Sequence, residues 1–90
     1  RPIIGSDVYV IDNRSGIEHN ESRILGTLER YLLKDGKIYL DITHKGMILY
    51  SVDNNTPYLE PNYSIQTSKR YELNSNISQS ENGVWELTIN

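Results

Sequence analysis

The ninety-residue chain has no cysteine and no phenylalanine, no alanine at any position, and a single methionine and a single tryptophan. Without cysteine there is no disulfide framework, no thiolate metal site and no cysteine nucleophile. Without alanine, the best helix former, the apolar set reduces to Ile, Leu, Tyr and a few Val, residues that favour strands. No apolar run approaches the ~20 residues that a bilayer-spanning helix requires, and the opening RPIIG does not have the shape of a signal peptide. Basic residues are also few: 9 Lys and Arg stand against 12 Asp and Glu, for a net charge of −3. That balance supplies no counterion-release drive toward a phosphate backbone and argues against nucleic acid as the partner.

What remains is a chain of single-domain size, residues 1–90. At this length folding buries only about two thirds of the surface that the unfolded form exposes, so a partner or a second copy would add needed buried area. The chain does not begin with Met, and the expectation is a domain excised from a larger protein.

Short apolar runs alternate with turn chemistry along the whole length, which predicts an all-β domain. Strands are expected at 6–12, 24–34, 37–43, 47–52, 63–67, 70–79 and 84–89. Asn13-Arg14-Ser15-Gly16 and His44-Lys45-Gly46 read as turns, 17–22 as a loop or one helical turn, and 53–62, with two prolines, as the longest irregular loop.

Turn types then assign faces. A two-residue type I′ loop at Asp35-Gly36 pairs Lys34 with Lys37, Leu33 with Ile38, Leu32 with Tyr39, Tyr31 with Leu40, Arg30 with Asp41 and Glu29 with Ile42. Opposed residues share a face, so Tyr31, Leu33, Ile38, Leu40 and Ile42 are expected in the core. Arg30, Asp41, Tyr39, Lys34 and Lys37 take the other face, with Leu28 and Leu32 between them.

At the last hairpin, a two-residue Asn82-Gly83 turn would turn Trp85, Leu87 and Ile89 toward a polar row. A three-residue loop Glu81-Asn82-Gly83, with Gly83 in the left-handed position of a bulge, instead pairs Ile77 with Leu87 and Gln79 with Trp85. The apolar pattern selects the three-residue loop, because a one-residue slip inverts every side chain. Tyr71, Leu73, Ile77, Trp85, Leu87 and Ile89 are therefore expected in the core. Seven or eight short antiparallel strands imply a small β-sandwich, the architecture that also covers a second apolar face of Leu28, Leu32, Tyr39, Ile48, Tyr50 and Val52. An SH3-like barrel is the alternative.

Chemistry-bearing motifs are sparse. His44 follows Asp41 by three residues and His19 lies between Glu18 and Glu21, but no nucleophile elbow, phosphate-binding glycine loop or histidine pair at metal-ligand spacing occurs. The expectation is a protein that is not an enzyme and carries no cofactor and no metal. The oxygen-rich stretches Asp12–Glu18 and Asp53–Asn55 do not follow the twelve-residue calcium-loop pattern and read as turns. Asn-x-Ser/Thr triplets at Asn13, Asn20, Asn54, Asn62 and Asn76 would be glycan acceptors in a secreted eukaryotic chain.

Two groups are candidates for binding. Tyr58, Glu60 and Tyr63 lie in or beside the proline-bearing loop, and loops carry recognition. Tyr39 and Tyr50, beside Arg30 and Asp41, combine aromatic and arginine side chains as interface hot spots do.

The segment Ser22-Arg23-Ile24-Leu25-Gly26-Thr27-Leu28 resembles the run before the distal loop of bacterial SH3-like wall-binding domains. It spans under a tenth of the chain, and the family's tryptophan after the next turn and its Gly-Trp pair near the end are not matched, so no ligand-binding residue is carried over. The general architecture is also similar to the compact β heads of viral fibres and bacterial adhesins.

These readings converge on a non-catalytic recognition or assembly module of a surface-exposed protein, in the extracellular space or on a cell or virion surface. Its expected partners are a protein receptor or carbohydrate, with no membrane insertion and with homo-oligomerisation open to it. The alternatives are an SH3-like domain binding cell-wall glycan or peptide, and a small enzyme or regulatory subunit using His44 with Asp41.

Overall fold

The computed structural model describes residues 1–14, 23–50, 57–61 and 67–90, with 47–50 and 57–61 described through the backbone alone. Among these residues every regular element is a strand: β1 (Asp7–Asp12), β2 (Arg23–Lys34), β3 (Lys37–Tyr50), β4 (Pro57–Pro61), β5 (Ser68–Leu73), β6 (Ile77–Gln79) and β7 (Trp85–Ile89). The fold is all-β, as composition and alternation predict.

All seven strands join one sheet in the order β4-β3-β2-β1-β7-β6, with β5 paired to β3 below β4. β5 lies against one end of this path and β6 at the other, yet only Asn74, Ser75 and Asn76 separate them in sequence. The sheet therefore wraps round on itself, and the fold is a small β-sandwich or barrel around one core. Following the chain, β1 ascends, β2 descends, β3 ascends, β4 to β6 descend together and β7 ascends. Five runs is an odd number, so the closing pair β1–β7 must be parallel, which it is. The sheet is accordingly mixed and not antiparallel throughout.

The Asp35-Gly36 hairpin forms as its sequence predicts. Both turn residues have positive φ, 54° and 75°, and every pair from Lys34/Lys37 to Arg30/Asp41 is in register. Beyond Arg30 the ladder slips by one residue: Ile42 faces Leu28 and not Glu29. This bulge reverses the parity of the preceding part of β2. Leu28 is thereby turned from the second face, where its number places it, into the core, where it is fully buried beside Leu40 and Ile42.

The other hairpin also keeps its expected register, with Ile77 opposite Leu87 and Gln79 opposite Trp85. The Ser80 N–H donates to the Val84 carbonyl, and Gly83 has φ 81°. Leu87 is completely buried, and Tyr71, Leu73, Ile77, Trp85 and Ile89 pack against the central cluster of Val8, Val10, Leu28, Leu40, Ile42 and Leu87.

Other sequence expectations are corrected. His44-Lys45-Gly46 is not a turn, and 37–43 and 47–52 are not separate strands. β3 runs unbroken to Tyr50, skipping one partner at Lys45 between the pairs Gly26/His44 and Leu25/Gly46. Residues 57–61 are not irregular loop but strand β4, whose prolines are tolerated because, among the described residues, β4 is paired on one side only. The strand expected over 70–79 is broken at Asn74-Ser75, where Ser75 has φ 70°. Leu33 keeps its expected parity but is 78% exposed: the β1–β2 ladder stops at Thr27, so β1 does not extend beside the hairpin tip. The expected strand 63–67 and the loop 17–22 lie outside the described residues, apart from Thr67, which is not in a strand.

The segment before β1 is ordered by β2. The Gly5 N–H donates to the Leu28 carbonyl and the Leu28 N–H to the Ser6 carbonyl, while Ile3 and Ser6 close a turn in which Gly5 takes φ 91°. Tyr31 donates its hydroxyl proton to the Pro2 carbonyl. No helix among the described residues is long and apolar enough to cross a membrane.

Candidate functional site

Alternation along β3 sends Leu40, Ile42 and His44 inward and Tyr39 and Asp41 outward. Asp41 is flanked by Arg30 on β2 and Arg70 on β5, its register partners on either side. Arg30 Nε lies 2.7 Å from one carboxylate oxygen, and Arg70 binds both through Nε at 2.8 Å and Nη2 at 3.1 Å. Two guanidinium groups thus cover a carboxylate that is only 3% exposed on the outer surface of a sheet. The hydrogen bonds from Arg70 and then Arg30 outweigh the cost of burial and hold the Asp41 pKa down at about 2. Neighbouring Tyr39 and Leu32, opposite each other on β3 and β2, are half-buried, and Lys37 pairs with Glu72 at 3.8 Å along the same face.

The structure brings Arg30, Tyr39 and Asp41 together as the sequence predicts. It adds Arg70, which the sequence reading missed because β3–β5 pairing spans a long connection with no turn to count from. Tyr50 and Tyr58 lie at adjacent steps of the β3–β4 ladder, opposite Pro57 and Leu49, and Glu60 opposes Met47. Their side chains, and Tyr63 altogether, lie outside the described residues.

His44 and Asp41 do not form a dyad. Asp41 spends its oxygens on arginines, while His44, on the inner face, places Nε2 2.8 Å from the Tyr71 hydroxyl, with the rings stacked at 6.2 Å. Burial, and then the charge of Lys69, lowers the His44 pKa; burial and then the Asp12 carboxylate push Tyr71 up to about 12. Both shifts keep the pair neutral near pH 7.

Beyond Arg70, on the side of β5 away from β3, lies a cleft of about 330 Å³. It opens where β7 ends and the segment after β1 begins, bounded by Arg14, Arg70, Tyr71, Asn74, Asn76 and Asn90 among others. Arg14 is tied to Asp12 through its backbone N–H, Nε and Nη2, and this lowers the Asp12 pKa. Asn76 crosses the seam at its base, donating to the Glu72 carbonyl at 3.1 Å and accepting from the Asn74 N–H at 3.0 Å. No group of three or more acidic or histidine side chains is placed to hold a metal ion among the described residues. Comparisons with protein-family models, with curated proteins and with solved structures yield no match.

Proposed function

We propose that the chain is a non-catalytic recognition module of a surface-exposed protein, and that it engages a protein partner through the outer face of β2, β3 and β5. The observation that carries this reading is the Arg30–Asp41–Arg70 array beside Tyr39. A carboxylate buried between two arginines fixes two long side chains that would otherwise be mobile, so less side-chain entropy is lost when a partner packs against them. Fixed arginines next to a half-buried tyrosine and leucine have the composition of interface hot spots. The non-catalytic part of the reading is supported by the commitment of Asp41 to guanidinium groups and of His44 to the half-buried Tyr71, which leaves neither poised as a general base.

The test is a binding screen of labelled protein against displayed receptor ectodomains, with light scattering to detect a second copy as partner. Tyr39→Ala and Arg30→Ala are each expected to weaken the interaction by about tenfold or more, as for hot-spot truncations, with the circular dichroism spectrum unchanged. Undiminished binding by both variants would move the interface elsewhere on the molecule.

A further inference from the structure

We infer that the seam cleft between β5 and the ends of β1 and β7 is a second binding site, and that it takes a small saccharide bearing a carboxylate. The site is separate from the outer-face interface, although Arg70 borders both.

Arg14 and Arg70 are held in the same manner. Each lays its Nε–Nη2 edge against an aspartate, Asp12 and Asp41 respectively. A guanidinium has five N–H donors in a planar fork, so this engagement leaves Nη1 and the second Nη2 proton of each arginine available. Neither Nη1 has a partner among the described residues. Two anchored arginines with a free edge therefore border one cleft, in a chain whose net charge is −3.

The free edge presents parallel N–H bonds, the pattern that matches a carboxylate bidentately. A doubly charged phosphate fits less well. Glu72 also lines the cleft, and the carboxylates of Asp12 and Asp41 stand behind the two guanidinium groups. These carboxylates repel a doubly charged anion twice as strongly as a singly charged one, so the attraction at the cleft comes from the directed N–H bonds of the forks and not from a net positive field.

The remaining lining reads hydroxyl groups. Asn74, Asn76 and Asn90 are carboxamides, each with donor and acceptor on one plane, and Thr88 adds a hydroxyl. Asn76 is already committed to the seam through both of its amide atoms. Among the described residues Asn74 makes only a backbone contact, which leaves its side-chain amide for a ligand, and Asn90 is engaged by one long contact of 3.4 Å from Asn13. An oxyanion fork beside free amides, in a volume of sugar size, describes an acidic monosaccharide.

The experiment is an NMR titration of the intact chain with glucuronic acid and with N-acetylneuraminic acid, with glucose and sodium sulfate as comparators, following the arginine Nε and asparagine side-chain amide signals. Saturable shifts at Arg14, Arg70, Asn74 and Asn90 with at least one acidic sugar, and none with glucose, are expected. Arg14→Gln and Arg14→Lys should each weaken that binding tenfold or more, the lysine variant because it keeps the charge and loses the fork. Asn74→Ala should weaken it about threefold. Absence of a saturable shift with either acid, or equal affinity in Arg14→Gln with its melting temperature retained, would overturn the site. Sulfate binding as tightly as the acidic sugars would overturn the saccharide assignment. Loss of receptor binding in Tyr39→Ala with an unchanged sugar titration would separate this site from the outer-face interface.

Discussion

Asp41 stands on the solvent side of a sheet and is nonetheless covered, because its neighbours on both flanking strands are arginines. Its native pKa, about 2, lies below the ordinary value of 3.8, so the unfolded chain takes up the proton first. The stability that Asp41 contributes is present in full above about pH 4 and is lost as the pH falls toward 2. Thermal melts across that range should show a falling melting temperature whose slope is flattened in Asp41→Asn; an identical slope in the variant would assign the acid limb to other carboxylates. Gly26 gives a second residue-scale prediction. A Cβ built there would meet Ile42 Cγ2 at 2.3 Å and the Thr43 carbonyl oxygen at 2.9 Å, so Gly26→Ala should cost about 1–3 kcal/mol, the usual range for overpacking, measured by urea unfolding. Among single residues the sequence was least informative about Leu28 and Leu33. The first is turned inward by a bulge and the second lies at a hairpin tip beside which β1 does not extend. The bulge did leave a trace: Ile24 and Leu28 share even numbering, whereas Tyr31 is odd, and all three pack on the core only if one residue between Leu28 and Tyr31 is skipped.

Turn chemistry made both tight hairpins legible, because residues that tolerate positive φ stand where strand parity requires them. Asp35, Gly36 and Gly83 are all in that region. Irregularities inside strands were not legible, since a bulge carries no obligatory residue and His44-Lys45-Gly46 reads equally well as a turn. β4 was hidden for a related reason: two prolines and several asparagines look like loop unless the segment is known to be an edge. The β6–β7 loop provides the sharpest test of register at this scale. Deleting Glu81 would leave Asn82-Gly83 as a two-residue turn, and the slip would force Trp85, Leu87 and Ile89 off the core face. Since Leu87 belongs to the fully buried cluster, the deletion variant should lose cooperative unfolding, and the emission of the sole tryptophan should shift to the red. A native-like emission maximum would show that the hairpin had re-formed its three-residue loop at the expense of neighbouring pairs.

For the whole molecule, local pairing rules predicted the β2–β3 and β6–β7 hairpins but not how the sheet closes, because β1 and β7 are distant in sequence and no turn connects them. Closure follows from counting runs: five alternating runs return the last strand in the direction of the first, so they meet in parallel. The register of that meeting sets Val10 beside Leu87 and Val8 beside Trp85, and the buried cluster draws on β1, β2, β3 and β7 together. If closure couples the first strand to the last, damage to one must reduce the value of an intact partner. Leu87→Ala alone should destabilise by about 2–5 kcal/mol, as buried leucine truncations do, and Val10→Ala by less. The double variant should cost less than the sum, with a coupling of at least ~0.5 kcal/mol, because in-contact residues share one packing arrangement. Urea unfolding followed by tryptophan fluorescence and by circular dichroism would measure all four corners of the cycle. Strict additivity, or transitions that separate between the two probes, would mean that β7 folds onto the rest as an independent hairpin with β6 and that the sheet is not one cooperative unit.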